Sequence, residues 1–111
     1  MGSKSFLGEF EQMVLLAVLQ QGETAFALEV RREIEKTTER TVSRGAFYTT
    51  LDRLERKGFV SWTEETPEDP RSNAPLRRYR VTGPGLDVLR QSMRVVATLS
   101  RGLDGILGRL P

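Results

Sequence analysis

The sequence predicts a mainly α-helical fold with one small β-hairpin. Apolar residues recur at helical spacing in three segments before residue 58, two short alternating segments follow, and the chain ends in a long amphipathic segment. Three helices followed directly by a hairpin is the element order of a winged helix-turn-helix. We therefore expect a disordered or tag-like N-terminus at residues 1–7, a winged helix-turn-helix domain at 8–82 and a C-terminal dimerisation helix at 83–111.

The composition is that of one ordinary domain. Of 111 residues, 38% are apolar and 29% charged, and no segment approaches the roughly 20 apolar residues of a membrane span. The chain has neither Cys nor His, which removes disulfides, thiolate nucleophiles and imidazole bases. We expect no catalytic residues, no metal, no cofactor and no membrane partner, and a cytoplasmic location.

Arginine carries most of the positive charge. Of the 17 basic residues 14 are Arg, although the net charge is only +2. The guanidinium fork suits phosphate oxygens and guanine edges. The alternative is that these arginines pair with the 15 carboxylates on a solvated surface.

The first two helices are predicted at residues 8–21 and 25–38. The centre of the first, residues 13–19, is apolar on all sides, which indicates cover by its own domain on one face and by another subunit on the other. Thr24 is the candidate N-cap of the second helix. Residues 37–42 then form a small strand or an extended link, with Val42 buried.

The third helix has a readable start, buried stripe and end. Ser43 is the N-cap, Phe47, Leu51 and Leu54 share the core face, and Gly58 closes the last turn. The opposite face and its flanks carry small, hydroxyl and charged side chains, namely Gly45, Ala46, Tyr48, Thr49, Asp52, Arg53 and Arg56. Such a face suits a nucleic-acid groove. Tyr48 could instead be a half-buried core aromatic, and Asp52 fits such a face only if it pairs with Arg56.

A hairpin follows the third helix. Residues 59–64 and 76–81 alternate as strands do, and the intervening residues 65–75 contain three prolines. On the second strand Arg78 and Arg80 face one side, and Tyr79 the other. Trp62 is predicted to pack within the hairpin.

The last helix is predicted from Gly83 to Leu107, with Thr82 as its N-cap. Its apolar residues alternate at spacings of three and four, as in a coiled-coil seam interrupted by Ser100. The seam consists of Leu86, Leu89, Met93, Val96, Leu103, Leu107 and Leu110. Gly102, Gly105 and Gly108 weaken the last turns, so we expect fraying beyond Arg101 unless something packs there. The alternative is a core helix of a monomer.

The sequence resembles the PadR family of bacterial transcriptional regulators, in the short form with a single C-terminal helix. The resemblance is carried by residues 7–16 (LGEFEQMVLL), 43–60 (SRGAFYTTLDRLERKGFV) and 77–85 (RRYRVTGPG). The middle segment is the most specific, with its small residue and Gly, then Tyr, Leu, Arg-Leu-Glu and a helix-ending Gly. The chain departs from the family at Phe26, where members often have Tyr, and at Thr49, where they often have Pro.

The resemblance implies a homodimeric repressor that binds a near-palindromic operator in double-stranded DNA. It also implies release by a small effector, often aromatic or lipophilic. The third helix would enter the major groove, with Gly45 and Ala46 allowing close backbone approach and Arg53 reaching phosphate or guanine. The predicted DNA contacts are Ser43, Gly45, Ala46, Tyr48, Thr49 and Arg53 in the helix, and Arg71, Asn73, Arg78 and Arg80 in the wing. The predicted dimer contacts are Leu86, Leu89, Met93, Val96, Leu103 and Leu107.

Two other classes of function remain. A winged-helix module that binds a protein partner without specific DNA binding is favoured by the acidic residues Glu64, Glu65, Glu68 and Asp69 at the root of the wing. The arginine clusters at residues 53–57 and 77–80 favour DNA. A small enzyme would have only carboxylates, hydroxyls and arginines, with no recognisable catalytic arrangement.

Overall fold

The predicted element order is confirmed in the computed structural model, which describes residues 7–66, 71 and 75–109. The elements are helices α1 (Glu9–Gln21), α2 (Ala27–Thr38) and α3 (Arg44–Arg56), strands β1 (Val60–Glu65) and β2 (Leu76–Val81), and helices α4 (Gly83–Ser100) and α5 (Asp104–Leu107). A short 3₁₀ helix, Gly22–Thr24, joins α1 to α2. Within the described part of the chain, no helix is both long and apolar enough to cross a bilayer.

Helix α1 lies at the centre of the domain, where it contacts α2, α3, β2 and α4. It buries Val14, Leu15 and Val18 almost completely. The predicted core stripe of α3 is confirmed, because Phe47, Leu51 and Leu54 are at most 1% exposed. These large side chains meet in one cluster, so the opposite face of α3 is left for solvent.

The predicted start of the second helix is wrong. Thr24 belongs to the 3₁₀ helix, where its hydroxyl donates to the Gln21 carbonyl at 2.8 Å, and the N-cap of α2 is Phe26. The backbone is extended at Phe26 because it forms a β-bridge with Arg78, and the Tyr79 amide donates to the Ala25 carbonyl at 2.9 Å. The segment before α2 therefore adds an edge to the hairpin, and tertiary pairing outweighs the local capping preference.

Two predictions about the link and the N-terminus have opposite outcomes. Val42 is buried in an extended link between α2 and α3, as predicted. Leu7 falls in the segment predicted to be disordered or tag-like, but its side chain is only 7% exposed and joins the core cluster. Residues 1–6 lie outside the described part of the chain.

The hairpin is antiparallel and pairs Val60 with Val81 and Trp62 with Tyr79. Its first strand begins one residue later than predicted, because the Phe59 amide still donates to the Leu54 carbonyl at the end of α3. Gly58 has a φ of +81°, which makes it the left-handed residue of this turn. The long tip predicted at residues 65–75 lies mostly outside the described residues.

The last helix ends before the predicted Leu107, at the point where the glycines were expected to weaken it. Helix α4 ends at Ser100, and Gly102 takes a φ of +81° before α5 begins, so Leu103 and Leu107 lie beyond a break. Leu89 is only 4% exposed and belongs to the core of its own chain, so it does not lie on a free seam. The predicted cap is confirmed, because the Thr82 hydroxyl accepts from the Gly85 amide at 3.1 Å.

The first turn of α4 packs so closely on the hairpin that only glycine fits at position 85. A Cβ placed on Gly85 would lie 2.2 Å from the Phe59 carbonyl oxygen and 2.8 Å from Val81 Cγ1. No contact of this kind surrounds Gly83, two residues earlier. The angle at which α4 leaves the domain is therefore set by backbone contact at Gly85.

We expect Gly85→Ala to lower the free energy of unfolding by about 1–3 kcal/mol, because the backbone at Phe59 must move to admit a methyl group. Gly45→Ala is the matched control and should be neutral or slightly stabilising, since this glycine lies in the first turn of α3 with open space around it and alanine is the better helix former. Urea denaturation followed by circular dichroism measures both. Equal effects of the two substitutions would contradict the close packing.

Candidate nucleic-acid interface

The N-terminal end of α3 is attached to α2. The Ser43 hydroxyl accepts from the Ala46 amide at 3.1 Å, which confirms the predicted cap. Just before it, Val42 donates its amide to the Glu35 carboxylate at 2.8 Å and accepts from Arg31 at 3.4 Å through its carbonyl. Sequence reasoning did not find Glu35 or Arg31, because their partner lies on a link with no periodic pattern.

The C-terminal end of α3 is attached to the start of α1. The Lys57 ammonium donates to the Glu11 carboxylate at 2.9 Å, and the Gly8 amide donates to the other carboxylate oxygen at 2.8 Å. Burial works to raise the pKa of the Glu11 carboxyl. These two hydrogen bonds and the charges of Lys57 and Arg53 outweigh burial, so the pKa lies below its ordinary value. The Glu11 side chain is 8% exposed and that of Lys57 40%.

Between these attachments, α3 turns its outer face to solvent. All six predicted helix contacts, Ser43, Gly45, Ala46, Tyr48, Thr49 and Arg53, are exposed. Tyr48 is 41% exposed, and its ring packs against that of Phe47 in a T-shaped arrangement, at 5.6 Å between centroids. Tyr48 therefore lies at the edge of the core with part of its ring accessible, so both interpretations of this residue stay open. Asp52 is exposed and pairs neither with Arg56 nor with any other described residue.

The wing arginines differ in their surroundings. Arg78 and Arg80 share the outer face of β2, where Arg78 forms an ion pair with Glu65 at 2.7 Å and Arg80 donates to the Ser61 hydroxyl at 3.4 Å. Arg71 is exposed, and Asn73 lies outside the described residues. The structure therefore brings Arg78 and Arg80 together, but they lie beside Gly22 and Glu23 rather than beside α3.

Arg77 belongs to the predicted 77–80 arginine cluster but not to the contacts predicted individually, and it shares a cleft with α3. Arg77 lines an open cleft of about 640 Å³ together with Tyr48, Tyr79 and the first turn of α2. Its guanidinium lies 4.0 Å from the centre of the Trp62 ring. Strand alternation could have revealed it, because Arg77 is two residues from the inward-facing Tyr79.

The described residues contain no cluster of side chains suited to a metal ion.

Comparison with known proteins identifies the family. The model of the transcriptional regulator PadR-like family matches residues 15–91. The chain belongs to the PadR-like family. The predicted resemblance is therefore confirmed, and the matched segment contains α2, α3, the hairpin and the first half of α4. No curated protein sequence matches this chain significantly.

Solved structures support the fold of this PadR-like protein. A PadR-like transcription factor from Bacteroides fragilis is 24% identical, with a TM-score of 0.69 over 87% of this chain and 88% of that one. A PadR-like regulator from Bacillus cereus is 19% identical, with a TM-score of 0.71 over 91% and 93%. The PcaV regulator from Streptomyces coelicolor, in complex with its natural ligand, is 19% identical, with a TM-score of 0.66 over 89% and 62%.

Family membership decides between the classes of function. PadR-like proteins are transcriptional regulators that bind DNA, and they are not enzymes. The PadR-like chain is accordingly a DNA-binding transcriptional regulator.

The ion pair that attaches α3 to α1 predicts a pH-dependent stability. Because folding lowers the pKa of Glu11, its contribution is complete above the unfolded-state pKa and is lost as pH falls through the folded-state pKa. We expect Glu11→Gln to cost about 1–2 kcal/mol at neutral pH, since a charged hydrogen bond is removed, and progressively less on acidification.

Thermal or urea unfolding between pH 7 and pH 3 measures this difference. Asp87→Asn is the matched control, because the Asp87–Arg90 pair at 3.0 Å is largely exposed and should contribute less than about 0.5 kcal/mol. A Glu11→Gln deficit that stayed constant across this range would show that the charge of Glu11 does not stabilise the fold.

Proposed function

We propose that this PadR-like protein is a cytoplasmic homodimeric repressor that binds a near-palindromic operator and releases it when a small aromatic or lipophilic effector binds. The exposed face of α3 carries this proposal. The helix is attached at both ends by Glu35 and Glu11, yet every predicted contact on its outer face is open to solvent. A helix held rigidly with small and hydroxyl side chains outward is suited to close approach to DNA.

Gly45 is the clearest marker of that approach. It lies in the first turn of α3, it is exposed, and an added Cβ would have no neighbour within 4 Å. The fold therefore does not require a glycine at this position. A surface that must lie against a phosphate backbone does favour one, because a side chain would hold the helix away.

The homodimer is supported by an apolar stripe on α4 that its own domain covers only halfway. Val88, Leu89 and Ser92 are buried, whereas Val95, Val96 and Leu99 continue the same face and are 38%, 57% and 74% exposed. The radius of gyration is 16.0 Å, against roughly 13 Å for a compact chain of this length. We assign the uncovered half to a second copy, together with Met93.

The effector is supported by the outer face of α1. An apolar depression of about 300 Å³ lies between α1 and α2, lined in part by Met13, Leu16 and Ile34. Leu16 and Leu19 are exposed on the same helix, in agreement with the expectation that a second subunit covers it. A partner helix crossing this face would close the depression into a site for a small apolar molecule.

We expect DNA selected from a random pool to contain two half-sites about one helical turn apart, because two α3 helices enter successive major grooves. Binding should weaken steeply with salt. Absence of any sequence preference over bulk DNA at moderate salt would favour the alternative, a protein-interaction module. The Arg78–Glu65 ion pair also favours that alternative, because it reduces the free positive charge on the wing.

Gly45→Leu sharpens this test. It should leave the free energy of unfolding at or above that of the parent protein, and yet weaken binding to the selected DNA by at least about tenfold, or 1.4 kcal/mol. Gly83→Leu is the matched control, since this glycine also lies in the first turn of a helix with open space around it. Equal affinities of the two variants would contradict the assignment of α3.

We expect Val96→Glu to dissociate the dimer and abolish operator binding, because it buries a carboxylate in the proposed interface. Thr98→Glu introduces the same charge on the opposite side of α4, where Thr98 is exposed, and should leave the dimer intact. Light scattering of both variants at micromolar concentration measures the mass. A persisting dimer of Val96→Glu would refute the assignment of the α4 stripe.

A further inference from the structure

Arg77 lies on a different face of the hairpin from the two wing arginines Arg78 and Arg80. Side chains alternate along a strand, so Arg77 shares its face with Tyr79, two residues later. Tyr79 pairs with Trp62 across the hairpin and is buried. The guanidinium of Arg77 accordingly lies over the Trp62 ring, at 4.0 Å from its centre.

The inner face of the hairpin opens towards α3. Arg77 and Tyr48 line the same cleft, whose other walls are formed by Leu76 and the first turn of α2. Arg78 and Arg80 line a separate depression on the outer face. The arginine of the described hairpin that adjoins the outer surface of α3 is therefore Arg77.

Arg77 is exposed, with Glu64 opposite it in the strand register. It forms no ion pair with any described residue, in contrast to Arg78, which lies 2.7 Å from a Glu65 oxygen. Burial raises the pKa of the Tyr79 hydroxyl, and the positive charge of Arg77 offsets part of that rise. Glu29 is the carboxylate that lines the cleft.

The contact of the Arg77 guanidinium with the Trp62 ring does not use the N–H donors of the guanidinium. This contact restricts the rotamers of Arg77, and a guanidinium over an aromatic ring keeps N–H donors at its rim for other partners. A planar fork held in this way can donate two parallel hydrogen bonds to a phosphate with little further loss of conformational freedom.

We propose that Arg77, held by Trp62, is the contact between the wing and a DNA phosphate, in place of Arg78 and Arg80. The phosphate lies beside Tyr48, where the backbone leaves the groove that α3 occupies. Trp62 is a positioning residue, which acts only through Arg77. This inference rests on the proposed binding of DNA by α3.

The test compares full-length variants on one duplex, the sequence recovered by selection, over a series of salt concentrations. Arg77→Gln should reduce the slope of log K against log salt by about 0.9 for each phosphate that is no longer neutralised, or roughly 1.8 for a symmetric dimer. Arg77→Lys should retain the slope, because it keeps the charge. Arg78→Gln and Arg80→Gln are the matched controls and should also retain it.

Trp62 provides a second measurement, since it is the only tryptophan in the chain. Its fluorescence should change when the parent protein binds the duplex and should not change in Arg77→Gln. Trp62→Leu should reduce the affinity about as much as Arg77→Gln, whereas Trp62→Phe should restore most of it by keeping an aromatic face. Far-ultraviolet circular dichroism establishes that each variant is folded.

The outcomes separate this inference from the proposed function. If the parent protein binds its selected duplex and Arg77→Gln has the same salt slope, the assignment of Arg77 is overturned and α3 remains the reader of DNA. A reduction of the slope in Arg78→Gln as large as that in Arg77→Gln would also overturn it. A parent protein that binds no duplex at all would overturn both proposals.

Discussion

Burial of the apolar stripe of α3 against α1 is the constraint on which the other features depend. Phe47, Leu51 and Leu54 leave almost no surface exposed, and Val14 and Leu15 of α1 are equally buried in the same cluster. A helix held along one side in this way has no rotational freedom about its own axis. Gly45 and Thr49 consequently point away from the domain, and the orientation of this exposed face results from the core packing.

Two partly buried attachments restrict the remaining freedom of α3. Glu11 holds Lys57 after its last turn, and Glu35 holds the Val42 amide before its first. Both carboxylates come from neighbouring helices, so sliding of α3 along its axis would break a charged hydrogen bond at one end. Apolar packing thus sets the rotation of the helix, and these polar contacts set its axial position.

The two halves of helix α4 lie in different environments. Its first turn lies against the hairpin through Gly85, and its second half carries Val96 and Leu99 into solvent. In the dimer that we propose, the spacing between the two α3 helices depends on the angle at which α4 leaves the domain. In that proposed dimer, the contact between Gly85 and the Phe59 carbonyl would connect the end of α3 to the partner subunit.

The sequence by itself determined the features that arise between residues three or four positions apart. The core stripe at Phe47, the caps at Ser43 and Thr82 and the alternation of β2 follow from helix and strand periods, which neighbouring residues express directly. Together with the family resemblance they were sufficient for the fold class and for the exposed face of α3.

Tertiary structure decided the features that join distant segments. The Lys57–Glu11 pair spans 46 positions, and the bridge from Phe26 to Arg78 displaces the predicted cap at Thr24. It also decided that Leu89 is covered within its own chain and that Arg77 rather than Arg78 adjoins α3. Periodicity shows which residues share a face, but only packing shows what that face meets.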